Sequence, residues 1–447
     1  MTRRTRIGRR RVAIFSTVVL APAVAVGSLT AVALAQPAPG DGPVPSAAFA
    51  FGQQAATDLA KAKLWAGETD AVSLSRDSTR RDLVRLMQSV LRLPGGATGA
   101  QWRDIAPDDA DGVAARLIMG KGWLPAAAAG AAALDQPLTG TEANRAWTLG
   151  LGMNRAVKVM SGFHDDSGRH FMLPPGFATA ITAREAGLRR NYPASDEALE
   201  RTDAQPMRLA DLVLMASRAQ AIRSNGIPSS VRSLEHFSIP AIDSAVAPLI
   251  QRALSLVGYP YVWGGEATDL NAGADPQAAA GFDCSGFVYW VWHNGDRAAE
   301  ASLNVPDGRT TYTMNVGTKG VKVPWKKAIA ADLVFFGSRG PKTPDAEASH
   351  TSIALGNKWI IHSSGGRAGV SITYLPTYWP AGIQDARDYR ASAGNPVTPT
   401  PTTPATGTPA ATTPVPVQPP VTPPAGTPQA PQAPPSPGGT QPPAPTP

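Results

Sequence analysis

Apolar and polar positions change rhythm in stages along the chain, and each rhythm predicts a different kind of structure. Val12 to Ala35 forms a largely apolar stretch of 24 residues with no charged side chain. From about 51 to 235, apolar residues recur at three- and four-residue spacing, as in Leu83, Leu86, Met87 and Val90, or Leu209, Leu212, Val213 and Ala216. That spacing places them on one face of a helix. Several of these helices begin in a repeated way. Thr79-Arg80-Arg81-Asp82-Leu83, Thr139-Gly140-Thr141-Glu142-Ala143 and Met207-Arg208-Leu209-Ala210-Asp211-Leu212 are separated by 60 and 68 residues. Thr139 with Glu142 matches a capping box, in which each side chain satisfies a free backbone donor at the helix start. Residues 240–392 read differently. A helix from Ile242 to Val257 precedes short strand-like runs: Tyr261-Val262-Trp263, Leu333-Val334-Phe335-Phe336, Ser352-Ile353-Ala354-Leu355 and Trp359-Ile360-Ile361. A helix first and short strands after predict an α+β domain with helices packed on an antiparallel sheet.

Composition changes the picture at both ends. The net charge of +7 would suit a polyanion binder, but six arginines lie within the first eleven residues. Removing them leaves about +1, so no nucleic-acid partner is expected. Those arginines, the apolar stretch and Ala33-Leu34-Ala35 read as a signal peptide over 1–35. Arg9-Arg10-Arg11 also permits a twin-arginine route. Although 24 residues can span a bilayer, Pro22, Gly27 and the Ala-rich end favour cleavage, giving a secreted or cell-wall protein with no stable membrane insertion afterwards. Residues 36–50 read as a flexible leader. Residues 393–447 form a Pro/Thr-rich disordered tail: 396–447 holds 20 of the 44 prolines and no charged residue. Such sequence buries too little apolar surface to fold and serves as a spacer.

The chemistry centres on one residue. Cys284 is the single cysteine of a chain read as exported, so it has no disulfide partner of its own. Asp283 or Ser285 can cap a helix whose buried stripe is Phe287, Val288, Val291 and Trp292. The thiol then lies at a helix N-terminus, where free N–H groups stabilise a thiolate and a developing oxyanion. Two of the six histidines suit the role of base. His350 opens one strand and His362 closes the next, with Gly356-Asn357-Lys358 between them. A three-residue loop puts both rings on one face; a two-residue loop separates them unless a bulge intervenes. The pair can act as general base and orienting partner, completing a Cys–His–His triad. His164 and His170 flank Asp165-Asp166-Ser167-Gly168, read as a turn rather than a metal site. His293 reads as a helix C-terminal cap and His236 as an interdomain residue. No metal or cofactor is expected.

Tyr259-Pro260-Tyr261-Val262-Trp263-Gly264-Gly265, Gly281-Phe282-Asp283-Cys284-Ser285-Gly286-Phe287, Arg309-Thr310-Thr311-Tyr312, Ala331-Asp332-Leu333-Val334-Phe335-Phe336 and the His350/His362 hairpin together resemble an NlpC/P60 domain. This is a papain-like family of cell-wall cysteine peptidases. The resemblance implies peptidoglycan stem peptides as substrate, with the γ-D-glutamyl bond to the diamino acid as target. It implies Cys284 as nucleophile, His350 as general base and acid, and His362 as third member, with Tyr261, Asp283 and Ser285 beside the substrate. The sequence departs from the family pattern in a long Glu266–Ala280 stretch, in Thr351-Ser352 after His350, and in Ala330-Ala331 before Asp332. A non-catalytic wall-binding protein and a related amidase or acyltransferase are the competing readings. Upstream, Trp102-Arg103-Asp104-Ile105-Ala106-Pro107, a helix through Ala114, Ala115 and Ile118, and Gly122-Trp123-Leu124-Pro125 resemble an S-layer-homology repeat. That likeness implies a helical module over 51–235 that docks on cell-wall polymers. A plain helical spacer, or a lid that restrains the catalytic domain at 240–392, is the alternative.

Overall fold

The computed structural model describes residues 46–94, 102–106, 108–127, 130–268, 280–296 and 300–390. The segments read as signal peptide and tail, and the middle of the Glu266–Ala280 stretch, lie outside these residues. No described helix is long and apolar enough to cross a membrane. The leader ends earlier than 50: a 3-10 turn at Ser46–Phe49 already buries Ala48 and Phe49. Apolar side chains of that size cannot stay in solvent-exposed leader once a core is beside them.

The upstream half is helical throughout: α1 (Ala50–Lys61), α2 (Ala71–Ser75), α3 (Arg80–Leu91), α4 (Gly112–Gly120), α5 (Gly140–Gly150), α6 (Asn154–Ser161), α7 (Phe177–Glu185), α8 (Leu209–Asn225) and α9 (Ser229–Leu234). The repeated starts meet in a closed ring. The N–H of Ser78 donates to Met207 O at 2.8 Å, that of Met207 to Leu138 O at 2.7 Å, and that of Leu138 to Ser78 O at 2.8 Å. A second set of bonds flanks this ring and runs the opposite way round: Arg80 N–H donates to Gln136 O, Gly140 N–H to Gln205 O and Leu209 N–H to Arg76 O. The three segments just ahead of α3, α5 and α8 therefore occupy equivalent places, and their unpaired backbone groups satisfy one another. Thr79 with Asp82 and Thr139 with Glu142 both form complete capping boxes. The third start is capped at Arg208, one position beyond Met207, and has no side-chain cap. Its Asp211 instead accepts the Tyr192 hydroxyl at 3.1 Å.

The downstream half starts with α10, which spans Ala247–Leu254 rather than the whole of Ile242–Val257. Pro248 fits a helix's first turn, where its missing N–H costs nothing. Two short strands, β1 (Glu266–Ala267) and β2 (Gly281–Phe282), pair antiparallel across the base of the long stretch. Helices α11 (Cys284–His293) and α12 (Thr311–Val316) follow. The remaining strands are β3 (Val321–Val323), β4 (Leu333–Phe336), β5 (His350–Gly356), β6 (Trp359–Ser364), β7 (Gly369–Tyr374) and β8 (Ile383–Asp388), with a short helix α13 (Leu375–Tyr378). They form one antiparallel sheet in the order β3-β8-β4-β5-β6-β7.

One apolar core runs through both halves. It joins Leu83, Trp147 and Leu212 to Phe287, Val291, Phe335, Ile353 and Ile361. Helix α7 is the link. All nine of its residues are buried, because it packs on α5 and α6 on one side and on β7 on the other. A smaller cluster of Val334, Phe336, Ala354, Ile360 and Ile383 covers the other face of the sheet.

Candidate functional site

Asp283 caps α11, its side chain accepting from Gly286 N. This makes Cys284 the first residue of the helix. The helix start is pressed so closely on the Gly264-Gly265 backbone that a Cβ on Gly286 would collide with the carbonyl of Gly265. Only glycine allows that approach. Arg309 locks the corner: it donates to Ser285 Oγ at 2.9 Å and to Gly264 O at 3.0 Å, and pairs with Asp283 at 3.3 Å and with Glu266. Ser285 Oγ also donates to Asp283 at 3.1 Å, and Gly264 N–H to Asp283 at 3.0 Å. The polar atoms of Asp283 and Ser285 are thus engaged within the protein, building the corner that carries the thiol.

The histidines share a face of the sheet, by a route only partly foreseen. The hairpin turn is two residues long, with Asn357 and Lys358 both at positive φ. Type I′ turns require that conformation. A β-bulge between Ala354 and Gly356 then shifts the register, so Ile353 faces Ile361 and Ala354 faces Ile360. The extra residue restores the even register. His350 Nε2 and His362 Nδ1 are 2.8 Å apart, and both rings are buried. His362 Nε2 is 3.1 Å from Thr373 Oγ1.

Cys284 is buried, with Sγ 3.5 Å from Thr311 Oγ1. Burial, reinforced by the Asp283 charge, pushes the thiol up to about 11; the Thr311 hydroxyl and the N–H groups of Thr351 and Ser285 pull it partly back. The expectation of a thiolate stabilised in the free protein is therefore corrected. Desolvation and a neighbouring carboxylate outweigh the helix N-terminus. Burial also drives His350 down to about 3, and burial, then His350 and Arg367, hold His362 well below the usual imidazole range. Burial thus favours the neutral form of the thiol and of both imidazoles.

Tyr261 lies in the strand-like segment bridged to Phe282, and burial raises its phenol. The helical half holds this segment in place. Asn191 donates to Tyr261 O at 2.8 Å, and Trp263 N–H donates to Glu197 at 2.8 Å. Two neighbours of the site escaped the sequence reading. Thr311 lay within a quoted motif but carried no obvious role. Tyr378 packs its ring 4.7 Å from that of His362 and bonds Ser364 Oγ at 2.8 Å; nothing in its local sequence signals this.

The remaining histidines stay apart. His164 and His170 face each other across a small bridge, and Asp165 between them accepts the N–H groups of Ser167, Arg169 and Ile242. His293 ends α11 and bonds Tyr289 O at 2.8 Å. No group of acidic, His or Cys side chains with metal-site geometry occurs among the described residues.

Residues 258–387 match the NlpC/P60 family, which makes this stretch an NlpC/P60 domain. The chain is 32% identical over 199 residues to the bifunctional muramidase/DL-endopeptidase CwlT of Bacillus subtilis, covering 41% of this chain and 50% of that protein. It is 33% identical over 131 residues to the peptidoglycan endopeptidase RipB of Mycobacterium tuberculosis, covering 29% and 47%. The chain thus spans half or less of the length of these curated relatives. The solved structure of RipB matches 33% of this chain and 65% of its own at 26% identity, with a TM-score of 0.26.

Proposed function

We propose that this NlpC/P60 domain is a secreted, cell-wall cysteine peptidase that cuts peptidoglycan stem peptides at the γ-D-glutamyl–diamino acid bond. Cys284 is the nucleophile, His350 the general base and acid, and His362 the orienting third member. One observation carries the reading: a cysteine at the first turn of α11 meets the β5 backbone at Thr351, next to His350, which is joined to His362 of β6 at 2.8 Å. Two relatives whose names include endopeptidase support the substrate class.

Because His350 uses Nε2 for His362, Nδ1 is the nitrogen left for chemistry. As the scissile carbonyl arrives, the Sγ proton passes to Nδ1 and sulfur bonds to the carbonyl carbon. The oxyanion is held by the Cys284 N–H, at the positive end of α11, with the Tyr261 hydroxyl as second donor. His350 returns the proton to the leaving amine, leaving a thioester. It then takes a proton from water, whose oxygen attacks the same carbon and releases the thiol. Burial favours the neutral forms of both Cys284 and His350, so the proton transfer belongs to the attack on the carbonyl. Incubating the mature protein with muropeptides should release new amino termini, and Cys284→Ala should abolish them. Equal cleavage by Cys284→Ala would end the proposal.

The same buried, neutral thiol favours a second reading, a domain that binds stem peptides without cutting them. Iodoacetamide separates the two: rapid alkylation of Cys284 at neutral pH supports the enzyme, inert sulfur the binder. For the helical half we retain the S-layer-homology-like assignment over 51–235, with a cell-wall polymer as ligand. Three equivalent helix starts around one closed ring support it. The export signal at 1–35 and the spacer at 393–447 complete the arrangement.

A further inference from the structure

Helix α7 belongs to the helical half, outside the matched residues 258–387, yet its last residue reaches the catalytic sheet. Glu185 is buried against β7. Its Oε1 accepts the hydroxyls of Thr373 at 2.6 Å and Ser371 at 3.2 Å, and Arg367 Nε lies 3.0 Å away. Thr373 Oγ1 is also the atom that touches His362 Nε2. Glu185, Thr373, His362 and His350 therefore form one continuous line that ends on β5, the strand against which the helix of Cys284 packs.

The chemistry of each member sets the direction of the line. An ionised carboxylate can only accept. Thr373 has one proton and gives it to Glu185, so its oxygen must accept from His362. The proton of neutral His362 then sits on Nε2, leaving Nδ1 bare to accept Nε2–H of His350. His350 is left with a bare Nδ1, the tautomer a base needs. We infer that Glu185 is a positioning residue that fixes the proton polarity of the His350–His362 pair through Thr373, so that the helical half supplies part of the catalytic apparatus. This rests on the peptidase reading above. The groups facing the carboxylate are Arg367 after β6, Ser371 and Thr373 on β7, and Tyr378 on α13, with His362 one hydroxyl further away. Burial raises the Glu185 carboxyl, while Arg367 and the two hydroxyls oppose that rise and favour the acceptor-only form.

The test compares Glu185→Gln, Thr373→Val and Thr373→Ser in the full mature protein, each checked for a native melting transition. An amide can donate where the carboxylate could not, so Glu185→Gln frees the line to reverse. We expect kcat to fall about 10- to 100-fold, the usual effect of losing an orienting partner, with KM within about twofold. The acid limb of the kcat profile should move to lower pH, because the imidazolium loses a negative charge from its line. Thr373→Val should match Glu185→Gln, while Thr373→Ser, which keeps the hydroxyl, should stay within about threefold of wild type. Wild-type kcat and pH profile in Glu185→Gln would overturn the inference. If that variant fails to fold, equal rates for Thr373→Val and Thr373→Ser would overturn it instead. If wild type cleaves no muropeptide, the peptidase reading falls separately. The pH dependence of Cys284 alkylation then decides, since it should shift in Glu185→Gln and an unshifted profile would count against the line.

Discussion

The two sides of α7 bury charge in opposite ways. Toward the repeats, Arg184 meets Asp203 at 2.6 Å, with Arg189 and Asn144 on the same carboxylate at 3.2 and 3.0 Å. Burial alone would raise Asp203, but Arg184 and then Arg189 outweigh it and hold the group below the ordinary carboxylate value. Toward the sheet, no charged side chain bonds Cys284, His350 or His362 directly, since Glu185 reaches His362 only through Thr373, and burial favours the neutral form of all three. The lesson is one of purpose. Charge buried for architecture is paired and permanent, whereas groups buried for chemistry are stored neutral, because a reaction must be able to charge them.

The sharpest test of this contrast is the chemical side. His350→Ala should lower muropeptide cleavage about 10⁴-fold, as expected when one member of a catalytic set is lost, measured by initial rates of amine release. A residual rate near wild type would remove His350 from the chemistry. On the architectural side, Asp203→Ala leaves Arg184 buried without its partner and should destabilise by about 3–5 kcal/mol, read from urea unfolding. A loss below about 1 kcal/mol would mean the pair is solvated in solution.

The neutral histidines make an intermediate prediction about pH. Their folded values are depressed, so their contribution to stability is complete above the unfolded value of 6.5. It is lost as pH falls toward about 3. Between pH 7 and 4 the protein should lose on the order of 1–3 kcal/mol by this route, and His350→Gln should lose less over the same range. Glu200, buried beside Asn191 and Tyr192, works in the opposite sense. Desolvation raises it from 4.5 to about 8, so its contribution is full below 4.5, declines as pH rises and is gone by about 8. Glu200→Gln should therefore flatten a melting-temperature profile between about pH 4.5 and 8. The smallest effect concerns Ala331, which sits buried at φ +71 ahead of β4. Left-handed backbone costs an alanine about 1–2 kcal/mol. Ala331→Gly should raise stability by about 1 kcal/mol, with no change in cleavage; a lower melting temperature would contradict that.

Legibility followed distance along the chain. The cap on α11, the capping box at Thr139 and the strand content were readable because each depends on neighbours within a few residues. The His350–His362 juxtaposition was readable only conditionally, since alternation gives faces but not the bulge at Ala354–Gly356 that fixes the register. Residues joined by the fold alone were opaque. Glu185 and Thr373 lie 188 positions apart, and no local pattern connects them. The ionisation of Cys284 was misjudged for the same reason. Its helix was visible in sequence, but the depth of burial that keeps the proton on sulfur was not.

The mutual hydrogen bonds of Ser78, Leu138 and Met207 have a consequence for how this architecture can change over evolution. Stacked-repeat proteins gain or drop units freely, because each copy touches only its neighbours and the array has open ends. A closed loop has no end at which to add or subtract. Closure sets the number of segments at three, and one of them can lose its side-chain cap, as at Arg208, while the ring stays shut.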